Sequence, residues 1–363
     1  MKLITTIFLC VFLLSFIIRD VLCASISDTA SAMPPMPPMP KGFGTAKRAI
    51  IIGIDGLGGS YLRNATEHYQ TLRSFFEQGS YTTRARGVFP TVSGPNWSSF
   101  LTGMNVMEHG VFDNEWTVET NGDPENETTY SIPPVSGRGR PETIFTQVKR
   151  KDPNLQTAMM FTWPWLKNYA INNTDVDVWS YGGDGLPCED NDGDNLPCEP
   201  KDVVNYYNNK DMNTAFAVKE NLLKNDPILT FVHLGQLDLA GHHSYWGSSR
   251  YYSSLVSVDL KLKYLIKCLS ENRDSSGNLM LNETMIVIVA DHGGWRSSHG
   301  FGFKPFSALV DIPVLIRGPG VLRNNSLEDT YVSNLDVAVT VLNAIGVEKS
   351  KFMKGQVLEQ IYA

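Results

Sequence analysis

Charge is sparse in this chain, and there is no basic run that would suit a nucleic-acid backbone: 31 Lys and Arg stand against 38 Asp and Glu in 363 residues, a formal net charge of −7. A nucleic-acid duplex, which needs a cationic face, is therefore not an expected partner. Long apolar runs are equally scarce, with one near the start at residues 3–18 and none afterwards. The C-terminus lacks the hydrophobic tail of a lipid-anchor signal, so no membrane span is expected once the first run is removed. Cysteine is limited to five residues. What is abundant is ordinary core material: 42% hydrophobic and 10% aromatic residues, which excludes a disordered or collagen-like chain.

Met1 and Lys2, the apolar run and then Arg19 and Asp20 follow the order of a secretory signal, with cleavage expected near Cys23. An uncleaved anchor is the alternative, because 16 apolar residues approach the roughly 17 that span a bilayer. The protein is thus expected to be secreted or luminal, or tethered by its start. Sequons at Asn64, Asn96, Asn126, Asn172, Asn282 and Asn324 fit that route. Without Cys10 and Cys23, three cysteines remain. Cys188 and Cys198 flank a Gly/Asp-rich loop and are expected to pair, with Cys268 buried in a helix.

Residues 24–46, with Pro and Met repeated over 33–41, read as an extended linker. Beyond it, short β-branched runs at 49–54, 157–161, 228–234, 285–290 and 312–316 are expected to be strands buried on both faces. Segments 61–76, 98–101, 252–269 and 335–345 read as helices. The alternation argues for a parallel sheet covered by helices, in which ligands collect at the carboxyl ends of strands.

Three of those ends carry chemistry. Asp55 follows Ile-Gly-Ile and precedes Gly56-Leu57-Gly58-Gly59. Asp238 and His242 are spaced to share one face of a helix, with His243 turned elsewhere and exposed. Asp291 and His292 end an apolar run, and His299 returns seven residues later. Ser93, in Pro90-Thr91-Val92-Ser93-Gly94-Pro95-Asn96-Trp97, stands where a helix begins and where an anion is favoured. Taken singly, Asp55, Asp238 and Ser93 are each also explained as helix caps. Together, three Asp and three His match the mixed oxygen and nitrogen donors of two divalent metals, zinc being the leading candidate.

These segments, with Glu108-His109-Gly110-Val111 between them, resemble in order and spacing the alkaline phosphatase superfamily, and within it the type I phosphodiesterase or nucleotide pyrophosphatase branch, over residues 47–357. The resemblance implies a three-layer α/β/α sandwich with a mainly parallel sheet, a catalytic domain at 47–358 and a smaller inserted cap within 112–225. It implies one metal held by Asp238, His242 and His299 and another by Asp55, Asp291, His292 and the Ser93 oxygen. Asn114 matches the family asparagine that donates to a phosphoryl oxygen, and His109 is expected to be structural. A small phosphate ester, with nucleotides as one class, would be hydrolysed through a phosphoseryl intermediate on Ser93.

Gly94 stands where nucleotide enzymes of the branch carry an aromatic residue, so Trp163 or Trp165 would have to supply a stacking surface. Three other readings stay open. Ser93-Gly-Pro95 resembles a sulfatase motif, although Trp97 takes the place of its arginine; a phosphomonoesterase or phosphomutase belongs to the same superfamily. A secreted calcium-dependent binding protein would use Asp190, Asp192 and Asp194, which otherwise form an accessory calcium site or a solvated loop, Asn195 standing where such loops prefer glycine.

Overall fold

β-branched residues with no polar alternation need cover on both faces, and the strands that they form run through the middle of the molecule. β1 (Arg48–Ile54) is buried at every position and lies between β5 (Leu229–Leu234) and β6 (Thr284–Val289), parallel to both. The structure is a computed structural model that describes residues 38–63, 66–118, 140–186, 202–300 and 306–363. Pro40–Ala363 cluster as one unit. β2 (Ser80–Arg86), β3 (Thr157–Phe161), β4 (Val178–Tyr181), β7 (Asp311–Arg317) and β8 (Asn325–Ser326) complete an eight-stranded sheet of order β4-β3-β5-β1-β6-β7-β2-β8.

Helices cover both faces, giving an α/β/α sandwich. One group comprises α1 (Gln70–Gln78), α4 (Val203–Asn225), α5 (Gln236–Ser244) and α6 (Ser249–Glu271); the other comprises α2 (Ser93–Thr102), α3 (Ile144–Lys151) and α7 (Asn334–Ala344). No helix among the described residues is long and apolar enough to cross a membrane.

The five expected strands are present, but β7 runs antiparallel to both β6 and β2. A parallel return needs a crossover, usually a full helix. Between β6 and β7 the only described helix is the short Phe306–Val310, so the chain turns back beside the strand it left. The single helix expected over 61–76 is divided into Gly59–Arg63, a 3₁₀ turn at Thr66–His68 and α1. Around 98–101 the helix is longer than its apolar core: α2 begins at Ser93, and Pro95 is accommodated because its first turn needs no amide donor. Within 112–225, β3 and β4 extend the sheet beyond β5, and α4 packs against both β3 and β5.

Candidate active site

The carboxyl ends of β1, β5 and β6 lie side by side in the centre of the sheet, and each delivers a carboxylate. Asp55 follows β1 directly. Asp238 lies in the first turn of α5, which β5 feeds through Gly235, and Asp291 and His292 follow β6. Gly56 makes the junction tight. It has a φ of 73°, and a Cβ there would lie 2.8 Å from the Asp238 Cα, so only glycine lets the Asp55 turn approach α5.

Two overlapping donor groups result. Asp238, His242 and His299 bring one atom each within 4.8 Å of one another, as do Asp55, Asp238 and His292. Asp238 therefore belongs to both, whereas the family resemblance implied only one. Asp291 joins the second group through its Oδ2, 3.1 Å from His292 Nε2, while its Oδ1 accepts the Gly56 N–H at 3.0 Å. The imidazoles are aimed by the backbone. His242 Nδ1 is 2.9 Å from the Ser297 carbonyl, His299 Nδ1 2.7 Å from that of Thr91, and His292 Nδ1 3.0 Å from that of Gly293. An Nδ1–H donated to each carbonyl presents Nε2 to the pocket, and the Nε2 atoms of His242 and His299 stand only 3.1 Å apart.

The set fits divalent cations on two grounds. Asp55 Oδ1, Asp238 Oδ1 and Asp291 Oδ2 are buried yet accept no hydrogen bond, which is costly unless a positive charge completes them. Burial pushes the Asp238 and Asp291 carboxyls well above the usual carboxylate range, and the charge of Asp55 adds to both effects. Burial acts the same way on Asp55, but the hydrogen bond and charge of His233, helped by His292 and Trp97, hold it below its ordinary value. His292 is pushed well down by burial and by neighbouring His299. Its neutral ring is the ligating form.

Ser93 is the first residue of α2. Val92 occupies the cap position and makes no side-chain cap bond, so capping does not explain the serine. Its Oγ is buried, 3.1 Å from His292 Nε2. Asn114 Oδ1 accepts the Gly94 N–H at 2.7 Å, which commits its oxygen to the start of α2 and presents its Nδ2 hydrogens as donors. Asn96 is fully buried, donating to the carbonyls of Val88, Pro90 and Val92. Such a side chain has no room for a glycan, whereas Asn172, Asn282 and Asn324 are exposed. His109 bonds Ser99 and Val111 and takes no part in the site, and His243 is exposed.

Gly94 has no space for an aromatic side chain. A Cβ there would lie 2.7 Å from Asp113 O, 2.9 Å from Asn114 Oδ1 and 3.1 Å from the Trp165 ring. Trp165 thus covers Gly94 itself, and Trp163 stacks on it with centroids 4.8 Å apart. His233, unread in the sequence, is part of the cluster: Nε2 lies 2.9 Å from Asp55 Oδ2, which also accepts Trp97 Nε1–H at 3.1 Å. Its only signal was a histidine inside an apolar strand. Asp190, Asp192, Asp194, Cys188 and Cys198 lie outside the described residues, as do the expected signal and Asn64 and Asn126. Cys268 is buried in α6.

A model of the type I phosphodiesterase / nucleotide pyrophosphatase family matches residues 49–309. Ectonucleotide pyrophosphatase/phosphodiesterase family member 1 of Homo sapiens is 26% identical over 324 residues, 86% of this chain and 30% of that protein. A choline-sulfatase of Rhizobium meliloti is 32% identical over 99 residues, 27% of this chain and 18% of the other. The chain thus spans less than a third of the length of either. Among solved structures, an inactive variant of murine ectonucleotide pyrophosphatase / phosphodiesterase 5 in complex with AMP superposes with a TM-score of 0.63 at 14% identity, covering 87% of this chain and 100% of that one. With the family model spanning most of the folded chain, this protein belongs to the type I phosphodiesterase / nucleotide pyrophosphatase family.

Proposed function

We propose that this protein is a secreted, metal-dependent hydrolase of phosphoric esters, of the phosphodiesterase or nucleotide pyrophosphatase type, with Ser93 as nucleophile. The observation that carries the reading is Ser93 Oγ at 3.1 Å from His292 Nε2, in a pocket where three buried carboxylate oxygens accept no hydrogen bond. Asp238, His242 and His299 would hold one divalent cation and Asp55, Asp291, His292 and Ser93 another, zinc being the best match, and the bound charge would make a serine hydroxyl nucleophilic near neutral pH.

The chain's own groups do the rest. Ser93 Oγ attacks phosphorus, the bond to the leaving oxygen breaks, and a phosphoseryl ester forms; water then cleaves it and returns the hydroxyl. Asn114 Nδ2 donates to a non-bridging phosphoryl oxygen, its orientation fixed by Gly94 N–H. Trp165 and Trp163, beside Gly94, offer a face for a planar group that stays esterified to the phosphate, in line with the AMP held by the murine relative. The sequons and the N-terminal apolar run support a secretory location.

Ser93→Ala, with the cations retained, is expected to abolish turnover of nitrophenyl phosphodiesters; near wild-type activity would refute the assignment. The sulfatase alternative is favoured by the choline-sulfatase match. Against it, Trp97, at the place of the motif arginine, is fully buried with its indole N–H on Asp55. A panel of nucleotides, alkyl phosphodiesters, phosphomonoesters and sulfate esters, with and without a chelator, decides between them.

A further inference from the structure

His233 is the fourth imidazole of the cluster and the one placed behind the donors. It is fully buried in β5, opposite Gly53 of β1. Both ring nitrogens are engaged: Nδ1 lies 3.2 Å from Thr162 Oγ1 and Nε2 lies 2.9 Å from Asp55 Oδ2. An ionised Asp55 oxygen can only accept, so Nε2 carries the proton and the imidazole donates to the carboxylate, while Thr162 Oγ1 lies within reach of both Nδ1 and the His233 carbonyl, the latter at 3.4 Å. Trp97 Nε1–H, 3.1 Å from the same Oδ2, is the second donor. The two oxygens of Asp55 are thereby divided. Oδ2 is held between two N–H groups, while Oδ1, equally buried, accepts nothing and faces His292 Nε2 at 3.6 Å.

We infer that His233 is a positioning residue that locks the Asp55 carboxylate so that Oδ1 alone is offered to a cation. The inference rests on Asp55 being a cation ligand, as the proposed function has it. A carboxylate restrained at one oxygen can neither swing to chelate through both nor turn its unsatisfied oxygen away from the pocket. Groups that orient a ligand in this way typically change metal affinity about 10–100-fold when removed. A histidine that only filled space would need no bond to Asp55. Its ring does pack edge-on to Trp97 at 5.3 Å, and that contact survives replacement by an apolar residue of similar size.

The test is direct Co²⁺ binding to the purified chain, followed by chelator competition and by the visible spectrum of the bound ion. Asp55→Asn is run beside it, and folding of each variant is checked by circular dichroism at saturating Co²⁺. His233→Leu is expected to weaken one of the two ions about 10–100-fold and alter its spectrum, leaving the other unchanged. His233→Gln, which keeps an N–H donor, should recover most of the loss. Unchanged affinity and spectrum in His233→Leu, when Asp55→Asn loses an ion, overturns the inference alone. If Asp55→Asn also binds as wild type, the cation role of Asp55 fails, and the inference with it. Should His233→Leu not fold, His233→Met, which also lacks a donor to Asp55, takes its place: a weaker site supports the inference, and wild-type binding overturns it.

Discussion

His109 and His292 are the same side chain under the same burial, and their partners separate them. His109 Nδ1 accepts the Val111 N–H at 3.0 Å, so its proton sits on Nε2 and is donated to Ser99 Oγ at 2.8 Å. Burial pushes its pKa down to about 3 from 6.5. A depressed pKa contributes stability that is complete above 6.5 and lost as pH falls through about 3, because the unfolded chain takes up a proton that the folded chain refuses. At about 1.4 kcal/mol per unit the loss is of order 5 kcal/mol. Urea unfolding at pH 7.5, 5.5 and 4.5 should show wild type losing stability faster than His109→Gln; parallel declines would remove His109 from the acid response. Gly94 makes the opposite point, that an absent side chain is also specified. Gly94→Phe would force Asn114 and Trp165 aside, at an overpacking cost of about 1–3 kcal/mol. Its kcat/KM should drop about tenfold or more, with no gain in nucleotide affinity, as steady-state kinetics on nucleotide and alkyl diesters would show.

At the scale of elements, α5 has to hold Asp238 and His242 at fixed height, yet it starts at Gly235, which has no side chain for capping. Asp211, from the middle of α4, does that work from outside, accepting the amides of Gly235 at 2.9 Å and Gln236 at 3.2 Å. Asp211→Ala should cost about 1–3 kcal/mol in chemical denaturation, the range for buried donors left unpaired. It should also weaken binding of the cation proposed at Asp238 and His242, measured by chelator competition. Neither Asp211 nor α4 was legible in the sequence: the segment Val203–Asn225 alternates Asn, Tyr and Lys among its apolar residues, so no apolar stripe announces a 23-residue helix. β2, Ser-Tyr-Thr-Thr-Arg-Ala-Arg, escaped for a related reason, since its strand character lies in pairing with β7 and not in a hydrophobic run. Most of the donors were legible because they follow apolar runs that end in Asp-Gly, Asp-x-x-x-His or Asp-His, and His299 because it returns soon after the last of these. His233 was not, because its role comes from a neighbouring strand: Gly53 lies opposite it and Asp55 two residues on.

Across the whole molecule, the three unsatisfied carboxylates belong to segments that meet only when the sheet closes: the end of β1, the start of α5 and the turn after β6. Folding without cations must press these charges together, which is why burial and Asp55 raise Asp238 and Asp291. Cations that bind only the folded state stabilise it by RT ln(1 + [L]/Kd), about 2.7 kcal/mol at a hundredfold excess over Kd. For a domain of this size that corresponds to several degrees, at about 2–4 °C per kcal/mol. Thermal melts should therefore fall by several degrees on chelation and recover with added zinc in a concentration-dependent way. Other stabilising effects of an added ion could imitate that result, so the sharper comparison is Asp238→Asn. The substitution removes one of the repelling charges and also the carboxylate of the residue shared by both donor groups. In chelator the variant should melt at or above wild type, because the repulsion is relieved; in zinc it should melt below wild type, because the shared ligand is lost. If the order of the two melting curves does not reverse, the carboxylates are not held in repulsion for the sake of cations.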